Sequence, residues 1–74
     1  MKNQIKKILE KKDKSQGWLA DKLQKDKSYI SKLINGAIDP KISTAFQVAR
    51  ALGRGVDEVF IYENGEFGNG NIDD

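Results

Sequence analysis

The chain contains no cysteine and no histidine. The first absence removes disulfides, thiolate metal sites and cysteine nucleophiles. The second removes zinc-binding imidazoles and the commonest general base of enzymes. Proline occurs once, at Pro40, so little in the chain interrupts helices. No apolar run exceeds four residues, far short of the roughly 20 needed to span a bilayer. The N-terminus, Met1-Lys2-Asn3-Gln4-Ile5-Lys6-Lys7, leads into a charged helical pattern with no signal-peptide core. These absences argue against an enzyme and against a membrane span, and the reading is a soluble, cytoplasmic domain. With 74 residues there is material for one small domain and an economical core.

Charge is what the chain has in quantity, and it is unevenly placed. Residues 1–54 hold all thirteen Lys and Arg against Glu10, Asp13, Asp21, Asp26 and Asp39, a net +8. Residues 55–74 hold six acids and no base, a net −6. A basic body with an acidic end suggests a polyanionic partner, nucleic acid first and an anionic membrane second. Lysine-rich helices that are merely solvated would show the same totals.

Hydrophobic periodicity predicts five helices. Ile5, Ile8 and Leu9 at i, i+3 and i+4 place the first over residues 3–12, followed by a turn at Asp13-Lys14. Ser15 is placed to cap a second helix with Leu19, Ala20 and Leu23 inward, ending near Gln24-Lys25. Asp26 is the cap expected for a third helix through Ile34, with Ile30, Leu33 and Ile34 apolar. Asn35-Gly36 stops it, since both residues tolerate the left-handed conformation. After a loop around Pro40, a fourth helix over residues 43–52 buries Ala45 or Phe46 with Val48, Ala49 and Leu52, and Gly53 closes it. Residues 57–61 form a short fifth helix that inserts Val59 and Phe60 into the core. The domain is thus residues 1–62. Residues 63–74 are a flexible Gly/Asn-rich acidic tail, although Asn64-Gly65 is also the pair favoured in tight hairpins.

Two short helices joined by a tight turn, inside a basic all-α domain, form a helix-turn-helix arrangement over residues 16–34. Ala20 must be small because the second helix of the pair crosses close to it. At about 100° per residue, Lys27, Ser28, Ser31 and Lys32 share one arc of the third helix, and Ile30, Leu33 and Ile34 the opposite one. Such donors suit the guanine N7 and O6 acceptors of a major groove. Any surface helix carries polar residues outward, so the arc acquires meaning only with the rest of the motif.

Ser15-Gln16-Gly17-Trp18-Leu19-Ala20-Asp21-Lys22-Leu23, Ser28-Tyr29-Ile30-Ser31-Lys32-Leu33-Ile34-Asn35-Gly36, Pro40, Ala49-Arg50-Ala51-Leu52-Gly53 and Asp57-Glu58-Val59-Phe60 together resemble the Cro/C1-type (XRE) helix-turn-helix family. The resemblance implies a compact five-helix bundle of the lambda-repressor-like type that reads double-stranded DNA as a dimer. It implies that Gln16 touches the DNA backbone, that Lys27, Ser28, Ser31 and Lys32 reach base edges or phosphates, and that Asn35 and Lys41 lie along phosphates. No cofactor or metal is implied.

The chain departs from the family pattern at the turn, where Gln24 and Lys25 stand in place of Gly and an apolar residue; Gln24 must then adopt a strained conformation or the turn differs. It departs again at Leu9 and Ile34, both apolar where the family often has Arg and Glu, which predicts that these two side chains touch. Trp18 is expected to be half-buried against the first helix or to contact a partner. Phe60, Ile61 and Tyr62 belong to the core first and to a dimer surface second.

The function expected is a sequence-specific transcriptional regulator, a repressor in most of the family, acting as a weak homodimer on a roughly palindromic operator. The alternative is a protein-interaction module, such as an antitoxin or anti-repressor, that engages a protein partner through its acidic tail.

Overall fold

A computed structural model describes residues 2–61 of the chain. Five helices follow one another: α1 (Ile5–Lys12), α2 (Gln16–Leu23), α3 (Lys27–Ile34), α4 (Ile42–Leu52) and α5 (Val56–Val59). Two short strands, β1 (Lys2–Asn3) and β2 (Phe60–Ile61), pair antiparallel with Lys2 opposite Ile61 and Asn3 opposite Phe60. The helical class expected from periodicity holds, with this small ribbon joining its two ends. The tail at residues 63–74, the hairpin at Asn64-Gly65 and Tyr62 lie outside the described residues.

The ribbon accounts for two differences from the sequence-based boundaries. The first helix begins at Ile5 and not at residue 3, because the Asn3 side chain is used elsewhere. Its Oδ1 accepts the Ile5 backbone N–H at 3.1 Å. Its Nδ2 donates to the carbonyls of Leu33 at 3.0 Å and Ile34 at 3.3 Å. One side chain thus satisfies an orphan donor at the start of α1 and adds a donor at the end of α3, where the Leu33 carbonyl also accepts the Gly36 N–H at 3.2 Å. The fifth helix closes at Val59, because the Gln4 N–H donates to the Val59 carbonyl at 2.7 Å and the chain continues as β2. Phe60 is nonetheless in the core, as expected, together with Val59.

The core draws on every helix: Ile5, Ile8 and Leu9; Leu19 and Ala20; Ile30 and Leu33; Ala45, Val48, Ala49 and Leu52; Val59 with Phe60. Leu23 and Ile34 are half-buried against this cluster. Of the alternatives on α4, Ala45 is buried and Phe46 is 60% exposed.

Helix ends follow local chemistry. Ser15 Oγ accepts the Trp18 N–H at 3.0 Å, capping α2 as its position predicts. Asp26 occupies the N-cap position of α3 in extended backbone, but its side chain makes no capping hydrogen bond; the Asp26 backbone carbonyl instead accepts from Tyr29 and Ile30. Of the pair ending α3, Gly36 alone is left-handed (φ 77°), while Asn35 stays in the right-handed region. Gly53 ends α4 with φ 71°. At α5, the Gly55 N–H donates to Glu58 Oε1 at 3.0 Å.

Candidate nucleic-acid interface

The interface is built on the α2–α3 pair. Leu19 and Ala20 on α2, and Ile30 and Leu33 on α3, are buried; the two helices pack against each other, and α2 packs against α4. Three residues, Gln24, Lys25 and Asp26, make the turn between them. Gln24 is left-handed with φ 55°, and the Lys25 N–H closes the turn onto the Ala20 carbonyl at 2.9 Å. The strained option at this position is therefore the one taken. The backbone path is that of a glycine turn, but a glutamine follows it.

With its apolar arc buried, α3 presents the opposite arc outward. Lys27, Ser28 and Lys32 are exposed and Ser31 is half-buried. Asn35, the C-cap of α3, is exposed as well. Ser28, Ser31, Lys32 and Asn35 stand at i, i+3, i+4 and i+7, which makes one continuous stripe about 10 Å long at 1.5 Å per residue. Lys27 flanks its N-terminal end. The remaining two candidates stand off the stripe at the starts of neighbouring helices. Gln16 is the first residue of α2 and half-buried, and Lys41 is the exposed N-cap of α4. Helix N-termini carry free N–H groups and the positive end of the dipole, so both positions favour an anion nearby.

Aromatic side chains organise lysines around this pair, a feature the sequence reading missed. Lys25 Nζ sits over the Tyr29 ring, 5.2 Å from its centroid. Lys14 and Lys22 lie 5.4 and 5.6 Å from the Trp18 ring, one before α2 and one near its end. Trp18 is half-buried and packed on the core. The signal was present in the spacing: Lys14, Trp18 and Lys22 recur every four residues, as do Lys25 and Tyr29. Asn3 was missed too, because nothing in its local sequence says that α3 ends beside it.

Among the described residues no group of three or more His, Cys, Asp or Glu side chains could hold a metal ion, and no helix is long and apolar enough to cross a membrane. An open groove of about 390 Å³ between the end of α2 and α4 is lined by Lys22, Leu23, Gln24, Gln47, Arg50 and Ala51, without a carboxylate or a nucleophile paired to a base.

Comparison with known proteins agrees with this geometry. The family model described as helix-turn-helix matches residues 5–59, from the start of α1 to the end of α5. A curated relative, an uncharacterized HTH-type transcriptional regulator of Methanocaldococcus jannaschii, is 33% identical over 66 residues, covering 89% of this chain and 100% of the relative. The two helices joined by the Gln24 turn lie within the matched span, and the chain belongs to the Cro/C1-type helix-turn-helix family of non-enzymatic, DNA-binding transcriptional regulators.

Proposed function

We propose that the chain represses transcription in the cytoplasm by binding a roughly palindromic operator as a dimer, with α3 of each copy in the major groove. The observation that carries this reading is the stripe Ser28, Ser31, Lys32 and Asn35, exposed except for the half-buried Ser31, while Ile30 and Leu33 on the same helix are buried. A helix held by its back leaves hydroxyl, ammonium and amide groups free to meet base edges, and lysine paired with guanine is a common specific contact. Gln16 and Lys41 then serve as phosphate contacts that set the register without reading sequence. Asp26, at the opening of α3, repels phosphate and favours the dipole of its own helix. Repression by occlusion is the simplest consequence, because a bound dimer covers the operator without a further surface.

A protein-interaction role stands as the second reading on one observation, the −6 charge of residues 55–74. Selection of bound duplexes from a random pool separates the two. Enrichment of one sequence with two inverted half-sites is the expected result. Recovery of unenriched random DNA, or of none, would favour the interaction module.

A further inference from the structure

Five side chains of α4 face solvent: Ile42, Ser43, Phe46, Gln47 and Arg50. Ile42 is 59% exposed and Phe46 60% exposed, and they are the exposed large hydrophobic side chains among the described residues. They stand one helical turn apart, at the edge of the buried stripe of Ala45, Val48, Ala49 and Leu52, and remain outside the core. Charges sit at the ends of this patch, at Lys41 and Arg50, and its centre is flanked by the neutral Ser43 and Gln47.

We propose that Ile42 and Phe46 are the contact through which a second copy of this chain docks on the operator. The inference rests on the two-half-site reading above and names its dimer surface. Self-complementarity is the first argument. In an isologous pair each residue meets its counterpart's neighbour, so two antiparallel α4 helices set Ile42 against Phe46 of the other copy and Phe46 against its Ile42. A charged partner would call for charge at the centre of the patch, and here the centre is neutral.

Position is the second argument. The patch begins one residue after Lys41, at the edge of the proposed phosphate contacts, so a partner seated there lies beside the same DNA. Size is the third. Two side chains about 60% exposed offer a few hundred Å² at most, against roughly 800 Å² per partner in a stable complex. Such a contact holds when a polyanion brings two copies together and fails without one.

The test uses the full chain and two duplexes: the palindrome enriched from the random pool, and the same duplex with one half-site scrambled. The unaltered chain should favour the intact palindrome cooperatively, by roughly 5–150-fold, the usual range of coupling between two sites. Ile42→Gln with Phe46→Gln should abolish that advantage and leave half-site affinity within about twofold, since Gln is a good helix former at these exposed positions. An advantage that survives the double substitution would overturn the proposal, and would be the result if residues 62–74 of the same copy covered the patch. Equal weakening on both duplexes would also overturn it, by placing the patch in DNA contact or in the fold. If the unaltered chain reads a half-site but gains nothing from the second, the dimer contact fails while the reading helix stands. Because the chain has no cysteine, Ser43→Cys supplies a single thiol. A short thiol cross-linker should join two copies on the palindrome and not on the scrambled duplex, while Lys7→Cys on α1 should give no joined product on either.

Discussion

Gln24 shows how one residue can be mismatched to the backbone it follows. A left-handed non-glycine residue costs about 1–2 kcal/mol, and glycine would give back part of that through its greater freedom when unfolded. Gln24→Gly should therefore stabilise the domain by about 0.5–1 kcal/mol, a rise in Tm of several degrees for a domain of this size. An unchanged or lowered Tm in thermal melting would contradict the strain. This tension was legible beforehand, because the position between Leu23 and Asp26 had to turn whichever residue filled it. Leu9 is 3% exposed, and its expected partner Ile34 packs on the same core. Truncation in Leu9→Ala should cost roughly 2–5 kcal/mol, and a melting curve like that of the unaltered chain would show that α1 does not hold α3 in this way.

Among the elements, the helices were legible and their outer boundaries were not. Apolar residues at helical spacing placed α1 to α5 to within a residue or two, because each helix had to bury one stripe against the others. The ribbon of β1 and β2 escaped because two-residue strands have no period to detect, and their pairing joins residues nearly sixty positions apart. Its consequence is functional. Asn3 Nδ2 holds the last carbonyls of α3, so the ribbon steadies the end of the proposed reading helix from which Asn35 projects. Asn3→Ala should cost about 1 kcal/mol by removing this donor from the Ile34 and Leu33 carbonyls, the second of which keeps the Gly36 N–H. It should also speed hydrogen exchange in the last turn of α3 more than in α2. Equal effects on both helices would contradict a local clamp.

For the molecule as a whole, the basic body implies that binding releases counterions from DNA, so affinity should fall steeply as salt rises. Lys41→Ala should weaken all sequences about equally and lower the salt slope by roughly 1, measured by titration at several salt concentrations. An unchanged slope would remove Lys41 from the phosphate contacts. The stripe on α3 was legible as a polar arc, because burying Ile30 and Leu33 leaves no other direction for Ser28 and Lys32. Which bases the proposed contact would select was not, since serine hydroxyls donate and accept and so admit more than one partner. The lysines stacked on Trp18 and Tyr29 were not singled out either, because the same spacing on a helix also describes solvated charge.

The central claim is that α3 reads sequence, beyond adhering to DNA. Its most direct test is the affinity of Lys32→Ala for the selected site and for random duplex at one salt concentration. A base contact predicts a loss of roughly 1–3 kcal/mol on the selected site and a much smaller loss on random DNA. Equal losses on the two would make Lys32 a phosphate contact. A ratio of the two affinities unmoved by Lys32→Ala and by paired substitutions among Ser28, Ser31 and Lys32 would contradict the reading role of the helix.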